Sequence, residues 1–317
     1  PKPPQIPSRR NFAGEVGYFY VADVYQGTHM QGVKRGAVKY LRVIESPEKR
    51  FWTQAQWGGQ GVHCPAVNWH SFENKRILGT VPVEKDGSAY FAVPKDRFVY
   101  FQLLDKDKMM IQSMRSGTMV QSGEVAGCVG CHEDRRSAPP PAKSSRSIAM
   151  TRPPSPMQGW KGHTRLFSYL RDVQPVFTKH CVECHDYGKE AGKTLNLAAD
   201  QTNTFNTSYN ELWRKKYVKA IGAGPANIQS AYAWGAHPSK LMQVIRKGHN
   251  DVKLSPDEME RITTWIDINA VYYPRYDCAY PDHLAGRSPL NPQQIKRLTE
   301  LTGVPFARLN NYNANMG

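Results

Sequence analysis

The chain carries Cys-x-x-Cys-His twice, as Cys128-Val129-Gly130-Cys131-His132 and as Cys181-Val182-Glu183-Cys184-His185, and these copies use four of its six cysteines. Two thiols three positions apart on one turn can each close a thioether onto a haem vinyl group. The histidine beside the second thiol then lies under the iron. Each copy therefore predicts one covalently held haem c, attached at Cys128 and Cys131 or at Cys181 and Cys184, with His132 and His185 as proximal iron ligands. A zinc ribbon fits less well, because the stretch between the two pairs far exceeds the roughly 15–20 residues usual for such sites. A thioredoxin-type dithiol needs one motif beside a βαβ pattern. Neither alternative calls for histidine after both second cysteines.

The 317 residues allow two domains of ordinary size, and a hydrophobic share of 40% is enough for cores. A mean hydropathy of −0.60 and the lack of an apolar run near the length of a bilayer span predict no transmembrane segment. Pro1 in place of an initiator methionine points to a processed, trimmed or cut N-terminus. Because bacterial c-type haem is attached outside the cytoplasm, a periplasmic or other extracytoplasmic location is expected. The net charge of +15 is spread over both halves without a basic tail. Arg214-Lys215-Lys216, the densest run, reads as a solvated helix face, so no nucleic acid is expected. A diffuse positive field suits steering toward an acidic redox partner or a place in a multi-subunit complex.

The pattern along the chain reads as an α+β multidomain protein. Residues 1–136 form a β-sandwich-like domain ending in the first haem motif, and 137–160 a Pro/Ser-rich linker. Residues 161–275 form a mostly helical, cytochrome c-like domain with the second haem, followed by a C-terminal extension over 276–317. Strands are expected at Val16–Val21, around Val38–Val43 and at Phe98–Leu104. The last turns through Asp105–Lys108 into Met109–Met114. Asp86-Gly87 predicts a hairpin from Ile77 to Val93. Asp172 is expected to cap a helix that runs into Cys181 with Val173, Val176 and Phe177 on one face. A helix through Leu241–Ile245 should stop at Gly248 in the left-handed conformation. Ser255-Pro256-Asp257-Glu258 is a capping box for a final helix whose apolar stripe is Met259, Ile262, Trp265 and Ile266.

Asn74–Val83, Met114-Arg115-Ser116 before the first motif, Gly248–Pro256, and Thr264–Asp267 together resemble the haem-bearing region of the hydrazine synthase alpha-subunit family. The resemblance covers both halves. It implies the family's middle domain first and its C-terminal cytochrome domain second. In that family a tyrosine four residues beyond the first motif histidine binds iron; here the position is Arg136, which has no acceptor or ionisable hydroxyl to offer. His132 is then the proximal ligand, and the resemblance does not carry hydrazine chemistry to this chain.

Distal ligands must come from the other eight histidines, from methionine, or from neither. For the second haem His249 is preferred, in a short loop just before the final helix, with His237 as the rival. His180 adjoins the motif and reads as a hydrogen-bonding residue, while His163 and His283 carry no local signal. For the first haem His70 is preferred, in a glycine-rich stretch that also holds His63; an open site and Met109, Met110, Met114 or Met119 remain alternatives. Cys64 and Cys278 could form a disulfide, stay as separate thiols, or, for Cys64 with a histidine, hold zinc.

Two haems predict a dihaem cytochrome that transfers electrons, probing no substrate itself. The alternatives are a redox enzyme subunit with an open first haem acting on a small nitrogen or oxygen species, and a structural docking module. Six-coordinate low-spin iron at both sites marks the first; one high-spin haem marks the second.

Overall fold

The computed structural model describes residues 12–47, 74–131, 147–202, 205–221, 229–274 and 291–303. Among these residues seven strands form two sheets: β1 (Val16–Val21), β2 (Tyr40–Glu45), β3 (Arg76–Pro82), β4 (Ala89–Pro94), β5 (Val99–Leu104), β6 (Met110–Ser113) and β7 (Val125–Cys128). One sheet has the order β4-β1-β7, the other β3-β2-β5-β6. Helices follow: α1 (Tyr169–Asp172), α2 (Gln174–His180), α3 (Glu190–Thr194), α4 (Thr207–Arg214), α5 (Lys240–Lys247), α6 (Pro256–Asp267) and α7 (Pro292–Thr302). The fold is thus an α+β mix of two sheets and helices.

The four-stranded sheet is a middle layer, and the two-residue period of its strands shows why. Leu41 and Val43 of β2 and Val99, Phe101 and Leu103 of β5 point at the three-stranded sheet, where Phe101 meets Phe19 and Phe91 edge-on at 5.0 and 5.4 Å. Ile44 and Tyr100, on the opposite face, join the core of the helical half beside Phe177, Tyr209 and Trp265. Hence β5 is buried at every position, whereas β4, covered on one face, alternates.

A buried polar seam runs through this second interface. Arg42 lies opposite Gln102 across β2 and β5, and its guanidinium donates to Gln102 Oε1 at 3.1 Å, to Thr264 Oγ1 at 3.0 Å and to the Lys108 carbonyl at 3.1 Å. Asp267 at the end of α6 accepts the N–H groups of Met110 (2.9 Å) and Ala236 (2.7 Å), and stands 3.8 Å from Arg42. Neither charged side chain is exposed.

Three expectations need correction. The turn at Asp86-Gly87 forms, closed by Glu84 N–H to the Ser88 carbonyl and by Gly87 N–H to the Glu84 carbonyl, but β3 and β4 do not make a hairpin. β3 pairs with β2 and β4 with β1, in different sheets, because the turn's chemistry is local while sheet membership follows burial on distant strands. Asp172 does not cap α2. Val173 stands at that position, and the Asp172 carboxylate turns back to accept from Ser168 N–H and from Arg165 and Arg171. Gly248 does end α5 with positive φ (92°), but ψ of 134° makes it an extended exit and not a left-handed cap. The chain leaves the helix axis at once, which places His249 clear of the last turn.

After a 3-10 turn at Ile148–Thr151, the proline-bearing 152–160 stretch is bonded to the strands: Thr80 and Gln158 exchange backbone hydrogen bonds at 2.9 Å, and Ser155 N–H donates to the Tyr90 carbonyl. The capping box of α6 is complete, with Ser255 Oγ accepting from Glu258 N–H and the Glu258 carboxylate from Ser255 N–H. Replacing Ser255 with Ala is expected to lower stability by about 1 kcal/mol, and with Gly by only a few tenths. Urea unfolding of the two variants measures the difference; equal losses would mean that the hydroxyl is not the cap.

Candidate functional site

The second motif is a continuation of α2. Cys181 N–H and Val182 N–H both donate to the Phe177 carbonyl, then Cys184 N–H (3.2 Å) and His185 N–H (2.8 Å) donate to the Cys181 carbonyl. One tight turn therefore gathers both thiols and the histidine. Cys181 packs against the helical core and Cys184 is exposed.

The His185 ring is fixed from behind. Its Nδ1 lies 2.8 Å from the Leu195 carbonyl oxygen, an acceptor, so Nδ1 carries the proton and Nε2 keeps its lone pair free for a metal. Leu197 N–H donates to the His185 carbonyl and locks the backbone as well. Facing it is His249, on a loop where Asn250 and Asp251 take positive φ and Val252 N–H closes a turn onto the His249 carbonyl. The two imidazole rings have centroids 5.9 Å apart at 38°. Two metal–nitrogen bonds of about 2 Å each, plus the half-widths of two five-membered rings, span that separation. The donor set fits an axially bis-imidazole haem iron. Val182, Tyr217, Ile245, Leu254 and Met259 are partly buried apolar side chains packed on the helical core.

His163 is exposed, and His180 and His237 are engaged elsewhere. His180 Nε2 lies 2.9 Å from Glu258 Oε1, which also takes Lys179 Nζ at 2.8 Å. Lys179 first, then His180, hold that carboxylate well below the usual range, and together they tie the start of α6 to the end of α2. His237 stands 3.0 Å from the Asp105 carboxylate and edge-on to Tyr232. That carboxylate–histidine pair, from residues far apart in sequence, has no local signal.

The first motif is built on β7, a strand not anticipated. It pairs in parallel with β1, Val21 opposite Cys128, and then Ala22 N–H donates to the Cys128 carbonyl and Cys131 N–H to the Gln26 carbonyl. Gly130 sits so close to Gln26 that a Cβ there would lie 2.6 Å from its carbonyl oxygen. Cys128 and Cys131 pack at the end of the core between the sheets. His132, Arg136, His63, His70, Cys64, Cys278 and His283 lie outside the described residues.

Burial, then the neighbouring Cys128 and Asp23, push the Cys131 thiol up to about 12; burial, then Cys184, push Cys181 up to about 11. A redox dithiol needs the opposite shift. Among the described residues the two cysteine pairs belong to different cores, no group of three or more His, Cys, Asp or Glu converges as a metal cluster, and no helix is long and apolar enough to cross a membrane.

Residues 36–133 match the family model of the hydrazine synthase alpha subunit middle domain. The chain is 22% identical, over 78% of its length, to hydrazine synthase subunit alpha of Kuenenia stuttgartiensis, and spans 40% of that relative. The solved Kuenenia stuttgartiensis hydrazine synthase shares the fold, with a TM-score of 0.57 at 18% identity over 84% of this chain and 44% of that one. Residues 36–133 thus match the hydrazine synthase alpha subunit middle domain, and the chain as a whole is similar in sequence and fold to a hydrazine synthase alpha subunit.

Proposed function

We propose that the chain is a dihaem c-type redox protein, a haem-bearing β-sandwich followed by a cytochrome c domain, whose second haem transfers electrons. The observation that carries this reading is the facing pair of His185 and His249. An iron with imidazole on both faces exchanges electrons without binding substrate, and that is the chemistry the group supplies there. His185, aligned by the Leu195 carbonyl, and His249, held by its turn, would hold the iron between them and leave it no position for a substrate.

The match of residues 36–133 to the family's middle domain supports a second reading for the first haem, as a hydrazine synthase-like centre acting on a small nitrogen or oxygen species. Arg136 in place of the family tyrosine argues for His132 as the iron ligand there. In either case the two haems work as one electron path inside a larger extracytoplasmic assembly, and the positive charge suits an acidic partner.

The denatured protein is expected to have the mass of the polypeptide plus two haems, because thioethers survive acid–organic extraction. Cys181→Ala with Cys184→Ala should remove one haem and leave the other. A bare polypeptide mass would end the dihaem reading. EPR of the oxidised protein then separates the two readings of the first haem: low-spin iron at both sites supports a pure electron carrier, and one high-spin signal an open reaction centre.

A further inference from the structure

The loop that carries His249 is anchored at its two ends to different halves of the molecule. It leaves α5 at Gly248 and closes at the Ser255 capping box, and Gly248, Asn250 and Asp251 all take positive φ. Asparagine and aspartate tolerate that conformation, but a loop of this shape persists when both of its ends are held. The far end is tied to the motif helix itself: Glu258, in the first turn of α6, takes Lys179 and His180 from the end of α2 at 2.8 and 2.9 Å. The near end is the last turn of α5. Leu241 and Met242, in the first turn of that helix, are buried, Val244 and Ile245 are half-buried, and Arg246, Lys247 and Gly248 are exposed. Burial therefore fixes where α5 begins better than where it ends.

The end of α5 is held through Arg246, three residues before His249. Its Nη1 donates to Met109 Sδ at 3.4 Å, and its Nη2 lies 3.5 Å from Asp107 Oδ2. Both partners belong to the turn between β5 and β6. That turn is stiff: the Asp105 carboxylate accepts the N–H groups of Asp107 (2.8 Å) and Met109 (2.9 Å), Met109 is buried, and the Lys108 carbonyl accepts from Arg42. Asp107 Oδ1 also takes Lys106 Nζ, at 2.9 Å. The entry to α5 has several holds of its own, with Ala236 N–H on Asp267, Ser239 Oγ on the Gly235 carbonyl and His237 beside Asp105.

We propose that Arg246 is a positioning residue for the distal ligand: by clasping the β5–β6 turn it keeps His249 in place, so that the sheet half governs how readily the second haem iron opens. This rests on the bis-imidazole reading of the second motif and adds a route by which the other half controls it. A clasp at the surface is weak and is screened by salt, so its effect is modest and carries a signature.

The test mixes the intact reduced chain with carbon monoxide, which reaches the second iron when His249 lets go. The gated phase is the one that His249→Ala makes fast. Arg246→Met keeps the length of the side chain and loses its charge and donors. The gated phase should then run roughly two- to fivefold faster and rise less with salt than in the native chain, while the oxidised spectrum stays low-spin. Arg246→Lys, which keeps a charge for Asp107, should fall between the two. His237→Ala, which changes the entry to α5 alone, should leave the rate as it is. An unchanged gated rate in Arg246→Met, or an equal rise in His237→Ala, overturns the proposal and leaves the haem reading standing. If Arg246→Met fails to mature, Asp107→Asn opens the clasp from the turn: a faster gated phase supports the proposal and an unchanged one overturns it. A native chain with no phase that depends on His249 overturns the bis-imidazole reading instead.

Discussion

Replacing His249 with Ala is expected to convert one haem equivalent from low to high spin without releasing it. Attachment depends on Cys181 and Cys184, and the proximal bond on His185, whose Nδ1 stays tied to the Leu195 carbonyl whatever happens on the other face. Only the imidazole 5.9 Å across from His185 is removed. The vacated axial position should take added imidazole, restoring the low-spin spectrum, and should bind carbon monoxide in the reduced protein. The effect on folding should be small, because His249 is exposed on a loop closed by its own backbone turn to Val252. His237→Ala serves as the comparison. It breaks the contact with Asp105 and should leave the spin state unchanged. The converse pattern, conversion with His237→Ala and none with His249→Ala, would falsify the assignment.

The parts of this fold that can be read from sequence are those whose cause is local. Ser255-Pro256-Asp257-Glu258 carries its own capping chemistry, and α6 begins where it says. Val16–Val21 is a strand because its aromatic and β-branched side chains suit a pleated surface, and Asp105 closes the β5–β6 turn by accepting the N–H groups of Asp107 and Met109. His249 is legible for a similar reason: a helix stop and a helix start leave a short loop between them, and a single imidazole stands in it.

What fails is whatever depends on a distant partner. β7 is four residues, Val-Ala-Gly-Cys, with no period to see, and it exists because β1 offers an edge. The split of β3 and β4 between two sheets follows from which strands each side of the molecule buries. The residues 132–146, 48–73 and 275–290, which hold His63, His70, His132 and both leftover cysteines, lie outside the described residues, so His70 and the Cys64–Cys278 question stand where the sequence left them. The polar seam is the clearest case. An arginine in the middle of β2 reads as an interruption of an apolar strand until Gln102, Thr264 and Asp267 are found around it.

That seam supplies the largest expected loss of stability. Arg42→Met should destabilise the protein by about 3–5 kcal/mol at neutral pH, because it strands the Asp267 carboxylate in the interior with its two backbone donors but no cation. The pH dependence has a definite sign. Burial pushes Asp267 up to about 6, against the opposing pull of Arg42 and the N–H groups of Ala236 and Met110. A carboxyl raised above its unfolded value contributes most at acid pH, and that contribution is lost as pH rises through the folded value. Removing Arg42 takes away an opposing influence, so the folded value climbs further and the variant's deficit should grow from pH 5 to pH 8. Asp267→Asn in the Arg42→Met background should recover part of the loss, since an amide carries no charge and keeps an oxygen for one of the two backbone donors, while its NH2 faces the other. Chemical unfolding of the two single variants and the double variant at several pH values completes the cycle. A loss below about 1 kcal/mol for Arg42→Met, flat with pH, would mean that water reaches Asp267 and that the two halves are held together by their apolar contacts alone.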